Sequence, residues 1–89
     1  MPKILIVEDE ATVRETLAVN LRSEGYDVVT TADGSDGLRL AREQAPDLIL
    51  LDLMLPELDG LSVCRLLRRD SDVPIIMLSA RCTEMDRIT

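Results

Sequence analysis

Residues 47–60 have the sequence Asp-Leu-Ile-Leu-Leu-Asp-Leu-Met-Leu-Pro-Glu-Leu-Asp-Gly. The four consecutive aliphatic residues at 48–51 predict a strand that is buried on both faces, because a half-exposed strand would alternate apolar and polar residues. Asp52 follows at the carboxyl end of this strand, which is where open α/β sheets carry their functional groups. If this aspartate stood alone, the start of a turn would be the preferred interpretation. The role of Asp52 therefore depends on what the neighbouring strands bring to it.

A second aliphatic run, Ile-Leu-Ile-Val at 4–7, ends in Glu8, Asp9 and Glu10. Neighbouring parallel strands lie roughly 4.8 Å apart, so their acidic ends would meet at one edge of the sheet. Glu8, Asp9 and Asp52 would then crowd one pocket, where like charges raise one another's pKa unless a cation lies among them. Mg²⁺ fits, because it binds one or two carboxylates, keeps waters and leaves room for a phosphate. The alternative, acidic decoration of a helix N-terminus, stays equally open for Glu10.

A third aliphatic run, Pro-Ile-Ile-Met-Leu at 74–78, is followed by Ser79, Ala80 and Arg81. If this strand ends at the same edge of the sheet, Ser79 could donate a hydrogen bond to an oxygen of a group carried on Asp52. Ala80 would leave space for that group. Serine also commonly caps helices, and as a single residue Ser79 fits that role better.

Apolar spacing and turn residues predict that strands and helices alternate along the chain. This alternation implies right-handed βαβ crossovers and a parallel sheet. The polar flanks of the second strand suit an edge position. The predicted strands are residues 4–7, 26–31, 47–52 and 73–78, and the predicted helices are residues 11–24, 35–44 and 60–69, with a further helix beginning at 82–89.

Composition and charge exclude several classes of protein. A chain of 89 residues is one domain, and with 46% hydrophobic but only 1% aromatic residues its core must be aliphatic. The formal net charge of −7 argues against direct binding to nucleic acid. No apolar run approaches the ~18 residues of a membrane span and no signal peptide opens the chain, so we expect a cytoplasmic protein. Cys64 and Cys82, in a chain without histidine, lack the spacing of a zinc site. We expect Cys64 to be a small buried residue of the third helix.

Three stretches together resemble the receiver domain of bacterial two-component response regulators. They are Ile-Leu-Ile-Val-Glu-Asp-Glu at 4–10, the stretch at 47–60 with the preceding proline, and Pro-Ile-Ile-Met-Leu-Ser-Ala-Arg at 74–81. The resemblance covers the whole chain, in order and at the family's spacing. It implies an α/β fold, a flavodoxin-like doubly wound parallel sheet with strand order 2-1-3-4. The Leu-Met-Leu-Pro segment is most similar to the subfamily whose output domains are winged-helix DNA-binding domains.

The resemblance also implies a role for each candidate residue. Asp52 would be the phosphoacceptor, and a sensor histidine kinase would supply the phosphoryl group. Glu8 and Asp9 would form the acidic pair of the Mg²⁺ site, with Asp9 and Asp52 binding the ion directly and the backbone carbonyl of Met54 as a further ligand. Ser79 would be the hydroxyl that senses the phosphoryl group. The domain would be a phosphoacceptor in signal transduction and transcription regulation, not an enzyme, and would bind neither nucleic acid nor membrane directly.

The chain departs from the family pattern at its end. Receiver domains continue through a fifth strand and a fifth helix, and the fifth strand carries a lysine that pairs with the phosphoryl oxygens. The single lysine of this chain, Lys3, begins the first strand, roughly 20 Å of extended chain before Asp9, and is expected at the opposite edge of the sheet. We therefore expect residues 1–89 to be an incomplete receiver domain with impaired signalling. The alternative is a non-phosphorylated structural or interaction module that self-associates through the exposed edge of the fourth strand.

Two other functions on the same fold are disfavoured by the residues themselves. A phosphatase with an aspartyl nucleophile would carry a second aspartate two residues after Asp52, where this chain has Met54. A nucleotide or flavin site would need a glycine-rich or hydroxyl-rich loop after the first strand. Residues 8–10 are acidic instead and would repel a phosphate unless a metal ion were bound first.

Overall fold

The structure is a computed structural model, which describes residues 1–53, 55, 59–69 and 71–78. Within these residues every predicted strand and helix is confirmed, with ends that differ by at most two residues. The helix predicted at 82–89 lies outside the described residues, as do Met54 and Ser79. The strands are β1 (Lys3–Val7), β2 (Asp27–Thr31), β3 (Leu48–Asp52) and β4 (Ile75–Leu78), and the helices are α1 (Ala11–Ser23), α2 (Gly34–Gln44) and α3 (Gly60–Arg68).

The four strands form one parallel sheet in the order β2-β1-β3-β4, as the resemblance implies. β1 and β3 are the central pair, and the side chains of Ile6, Val7, Ile49 and Leu51 are completely buried there. β2 lies at an edge, as its polar flanks indicate, and most of its residues are partly exposed. The aliphatic runs at 4–7 and 48–51 therefore form the two central strands, which need no polar face.

Helices cover both faces of the sheet, because successive side chains of a strand point to opposite sides. On one face, Ile4, Ile6 and Leu50 pack against Ala18 of α1. The other face carries α2 and α3, whose residues Leu38, Val63 and Leu67 pack against a cluster formed by Leu5, Val7, Ile49 and Leu51. The helices in the described ranges are too short or too polar to traverse a bilayer. The result is a doubly wound parallel sheet, as expected. The carboxyl ends of its strands lie along one edge, where a functional site can form.

Side-chain caps and a glycine set the ends of the helices. Asp33 accepts a hydrogen bond from the N–H of Asp36 at the start of α2 (2.7 Å), and Asp59 accepts one from the N–H of Ser62 at the start of α3 (2.8 Å). α1 ends just before Gly25, whose φ of +97° is the left-handed conformation that glycine adopts without strain. The two caps fix the residues at which α2 and α3 begin, and Gly25 fixes the end of α1.

Gly37 and Cys64 show how α2 and α3 pack on the sheet. A Cβ at Gly37 would lie 2.8 Å from Cγ2 of Val7, so the missing side chain lets α2 approach β1 closely. Cys64 was expected to be buried and is instead half-buried, a free cysteine packed at the margin of the core beside α2 and α3. It lies at the margin because Val63 and Leu67 occupy the inward positions of α3.

Candidate metal site

The pairing of β1 with β3 brings the acidic residues together. Val7 lies opposite Leu51, so Glu8 and Asp52 follow at the same level on adjacent strands. One oxygen from each of the carboxylates of Glu8, Asp9 and Asp52 can be chosen so that all three lie within 4.8 Å of one another. Glu8 is 2% exposed and Asp52 4% exposed, whereas Asp9 faces solvent. The arrangement is a small acidic cluster with two buried members and one that remains accessible.

Three parts of the fold hold Glu8 in place. Its N–H donates to the carbonyl oxygen of Thr31 at the end of β2 (3.0 Å). Its carboxylate Oε2 accepts a hydrogen bond from the N–H of Glu10 (3.0 Å), and its carbonyl oxygen accepts one from Nη1 of Arg14 on α1 (3.0 Å). The buried end of β1 is therefore tied to β2, to the following turn and to the first helix.

The electrostatics of the cluster are those of crowded carboxyl groups. The pKa of Glu8 is raised to about 7. Burial is the largest cause, the N–H of Glu10 opposes the rise, and the neighbouring carboxyl groups of Asp52 and Asp9 add to it. The carboxyl groups of Glu8 and Asp52 lie close to each other, and this proximity favours the protonated form of Glu8. A divalent cation would take the place of a proton and favour ionisation of the cluster.

The chain returns closely to Asp52 after β3. The N–H of Gly60 donates to the carbonyl oxygen of Leu53 (3.2 Å), which places the start of α3 directly against the end of the strand. A Cβ at Gly60 would collide with the carbonyl oxygen of Asp52 and would lie 2.8 Å from Cα of Leu53. Glycine is therefore required at position 60 for the close approach beside Asp52.

The structure distinguishes among the predicted site residues. It brings Glu8, Asp9 and Asp52 together as expected, while Glu10 lies outside the cluster as the exposed residue that precedes α1. Lys3 lies at the opposite edge of the sheet, as predicted, where its Nζ donates to Oε1 of Gln44 (3.1 Å). The predicted contributions of Met54 and Ser79 fall outside the described residues.

Sequence reasoning missed two residues that hold the site. Thr31 contributes through its backbone carbonyl, which no side-chain pattern signals. Arg14 contributes through its guanidinium, which donates to the carbonyl oxygen of Glu8. An arginine in the first turn of a helix that directly follows an acidic strand end could have indicated this contact from the sequence.

Comparison with known proteins agrees with the fold. A model of the response regulator receiver domain matches residues 4–89. The probable transcriptional regulator ycf27 of Guillardia theta is 52% identical over 87 residues, covering 98% of this chain and 34% of the relative. The transcriptional regulatory protein AfsQ1 of Streptomyces coelicolor is 50% identical over 86 residues, covering 97% of this chain and 38% of the relative. The chain thus spans about a third of the length of the curated relatives it matches.

Solved structures give the same result. The BeF3-activated N-terminal receiver domain of RstA from Klebsiella pneumoniae superposes with a TM-score of 0.88 at 37% identity, covering 97% of this chain and 74% of that domain. The chemotaxis protein CheY4 of Vibrio cholerae superposes with a TM-score of 0.88 at 30% identity, covering 99% of this chain and 76% of that protein. With the match to the family model across residues 4–89, these similarities show that the chain belongs to the response regulator receiver domain family.

Proposed function

We propose that Asp52 of this receiver domain accepts a phosphoryl group from the phosphohistidine of a sensor histidine kinase. The observation that carries the proposal is the position of Asp52 at the carboxyl end of β3, buried beside Glu8 and within 4.8 Å of the carboxylates of both Glu8 and Asp9. A buried aspartate among other carboxylates is costly for the fold, so a functional role explains its presence better than a turn does.

Mg²⁺ is the cofactor that the donor set favours. Glu8, Asp9 and Asp52 offer only oxygen ligands, and the backbone carbonyl of Met54 is proposed as a further one. The raised pKa of Glu8 shows how unfavourable the three negative charges are without a cation. When bound, Mg²⁺ neutralises the carboxylates and offsets the charge of the incoming phosphoryl oxygens.

The chemical step needs an ionised, fixed carboxylate. A carboxylate oxygen of Asp52 attacks the phosphorus and an O–P bond forms. The P–N bond to the kinase imidazole breaks, and the imidazole nitrogen keeps the electron pair and takes a proton from solvent. Asp52 is held for this attack by β3, whose next residue Leu53 donates its N–H to Leu78 of β4 (2.9 Å). The product is an acyl phosphate, to which the hydroxyl of Ser79 is proposed to donate a hydrogen bond.

Lys3 takes no part in the proposed transfer. Its Nζ donates to the carbonyl oxygen of Gln44 (3.3 Å) and to Oε1 of the same residue (3.1 Å) at the opposite edge of the sheet, away from Asp52. Among the described residues, the proposed transfer relies on the acidic cluster.

The test is the intact mass of the chain after incubation with Mg²⁺ and an acyl phosphate or phosphoramidate donor. We expect one phosphoryl adduct that requires Mg²⁺ and is absent from Asp52→Asn. The matched control is Asp47→Asn, immediately before the opposite end of β3, where Asp47 accepts a hydrogen bond from the N–H of Lys3 (2.8 Å). A phosphoryl adduct on Asp52→Asn would contradict the proposal. The failure of the unmodified chain to form an adduct would also contradict it.

The names of the relatives suggest what the domain regulates. They include transcriptional regulators and, in Mycobacterium tuberculosis, the DNA-binding response regulator MtrA, which is 50% identical over 84 residues. We propose that this domain controls a DNA-binding output domain in a cytoplasmic transcription regulator. With a net charge of −7, the domain itself is not proposed to contact DNA.

A second candidate function is a non-phosphorylated interaction module that self-associates through β4. The observation that favours it is Ile76, which is 50% exposed on this strand. Exposed apolar residues on a strand promote pairing with another chain. Light scattering over a wide concentration range tests this candidate: a mass that rises with concentration, and falls back in Ile76→Lys, would support it, whereas a constant monomer mass would count against it.

A further inference from the structure

Arg14 contacts the chain on both sides of Asp9. Its side-chain Nη1 donates to the carbonyl oxygen of Glu8 (3.0 Å), and its backbone N–H donates to the carbonyl oxygen of Glu10 (2.9 Å). The second bond is the first turn of α1, whereas the first reaches back to the end of β1. One residue of the helix therefore holds the two carbonyl groups that flank Asp9.

These contacts matter because Asp9 is the exposed member of the acidic cluster. Glu8 is buried and fixed by β2, and Asp52 is buried at the end of β3. Asp9 lies in the short turn between β1 and α1, so the direction of its side chain depends on the backbone of that turn. A cation ligand must be held close to its productive geometry, and contacts behind the ligands supply that restraint.

We propose that Arg14 is a positioning residue for Asp9 in the metal site. By joining the first turn of α1 to the end of β1, it keeps the Asp9 carboxylate close to those of Glu8 and Asp52. This inference rests on the proposed function, in which the three carboxylates bind Mg²⁺. Arg14 does not itself touch the cation, since its guanidinium contacts a backbone carbonyl.

The charge of Arg14 and its positioning role act in opposite directions on metal affinity. A positive charge near the cluster repels a cation, so removal of the charge by itself would tighten binding. Loss of the contact to Glu8 would loosen the turn that carries Asp9 and weaken binding. The sign of the change in affinity therefore separates the two effects.

Arg22 provides a matched control on the same helix. Its Nη2 donates to the carbonyl oxygen of Val28 (3.2 Å), also across six residues, and both arginines line one cavity of about 330 Å³ between α1 and β2. Eight residues separate Arg22 from Arg14, which is roughly 12 Å along the helix and away from the cluster. Arg22→Gln therefore removes the same charge and the same type of contact without touching the turn at Asp9.

The experiment measures binding of Mg²⁺ by calorimetry and of Mn²⁺ by electron paramagnetic resonance in the whole chain and in three variants. For Arg14→Gln we expect affinity about tenfold weaker, the usual size of an effect behind metal ligands. Arg14→Lys, whose ammonium can still donate to the Glu8 carbonyl, should recover most of this loss. Arg22→Gln should bind as tightly as the unmodified chain or slightly more tightly. Urea unfolding confirms that each variant is folded under the conditions of the titration.

A second readout needs no metal. In the metal-free protein, amide order parameters for Asp9 and Glu10 are expected to fall in Arg14→Gln and to stay unchanged in Arg22→Gln. Unchanged order at Asp9 together with unchanged affinity in Arg14→Gln would overturn the positioning role. If the unmodified chain bound neither ion, the proposed function would fail instead, and with it the assignment of a metal-site role to Arg14. If Arg14→Gln does not fold, Arg14→Met replaces it, because methionine keeps the length of the side chain but has no donor for the Glu8 carbonyl. Affinity and order in that variant equal to the unmodified chain would overturn the role.

Discussion

Glu8 and Asp52 bring two buried carboxyl groups together at the ends of adjacent parallel strands, with oxygens within 4.8 Å of each other. The register places them there, because Val7 of β1 pairs with Leu51 of β3 and each acidic residue comes directly after the paired residue of its strand. Two negative charges this close repel each other, so protonation of Glu8 or binding of a cation stabilises the pair.

The metal-free protein should become less stable as the pH rises from about 5 to 8. Folding raises the pKa of Glu8 from 4.5 to about 7, so the folded state binds more protons between these values. The resulting stabilisation is fully present below pH 4.5 and is lost as the pH rises through 7. We expect a loss of roughly 1 to 3 kcal/mol in the free energy of unfolding, measured with urea in the presence of a chelator.

Glu8→Gln is the control for this pH dependence, because glutamine cannot ionise. Its free energy of unfolding should be nearly flat over the same pH range, and Mg²⁺ should remove most of the slope in the unmodified protein. Hydrogen bonds lower the pKa values of Asp36 and Asp59, so these two carboxyl groups stabilise the folded state while they are ionised. That stabilisation is lost only when the pH falls below the range of this measurement. A slope that persists in Glu8→Gln would show that another group is responsible.

Asp52→Asn should stabilise the metal-free protein at pH 8 while abolishing the phosphoryl adduct. The substitution removes one of the crowded negative charges, and the amide can still donate to Glu8, so we expect a gain of about 1 kcal/mol. Chemical unfolding with a chelator present measures the gain. Asp47→Asn, which removes a charge at the opposite end of β3, should give no such gain because Asp47 accepts a hydrogen bond from Lys3. Equal effects of the two substitutions would show that general charge reduction is responsible.

Gly60→Ala should disturb the site more than Gly37→Ala does. A Cβ at Gly60 meets backbone atoms of Asp52 and Leu53, which cannot move without displacing the proposed phosphoacceptor. A Cβ at Gly37 meets the methyl groups of Val7, and this crowding destabilises the protein. Part of that destabilisation is offset because alanine stabilises a helix by about 1 kcal/mol relative to glycine. We expect Gly60→Ala to lose metal affinity and at least about 2 kcal/mol of stability. A Gly60→Ala variant with unchanged affinity would contradict the role given to this close approach.

Leu51→Ala should cost far more stability than Leu61→Ala. Leu51 is completely buried in β3 on the face that α2 and α3 cover, and a leucine-to-alanine change in a core costs about 2 to 5 kcal/mol. Leu61 is 55% exposed on α3, and its truncation should cost less than about 0.5 kcal/mol. Thermal and urea unfolding of the two variants measure the difference. Similar costs would indicate that the sheet is not the core that the structure describes.

The amino-acid sequence by itself determined the order of the elements and the identity of the acidic residues. Continuous aliphatic runs at 4–7 and 48–51 predict strands buried on both faces, since only such strands need no polar side, and each run ends directly in carboxylates. Gly25 marks the end of α1 for an equally local reason, its positive φ. The motifs that carry the resemblance are likewise short and contiguous, so the family could be predicted before the fold was known.

The tertiary structure decided the features that depend on residues far apart in the chain. The register of β1 against β3 sets the Glu8 to Asp52 contact and with it the raised pKa of Glu8, because burial depends on what packs around a residue. The close approach at Gly60 and the reach of Arg14 back to the Glu8 carbonyl likewise appear only when α3 and α1 are folded against the sheet. Local pattern specifies which residues form strands and helices, whereas the contacts that tune the site arise from packing between elements, which no local pattern encodes.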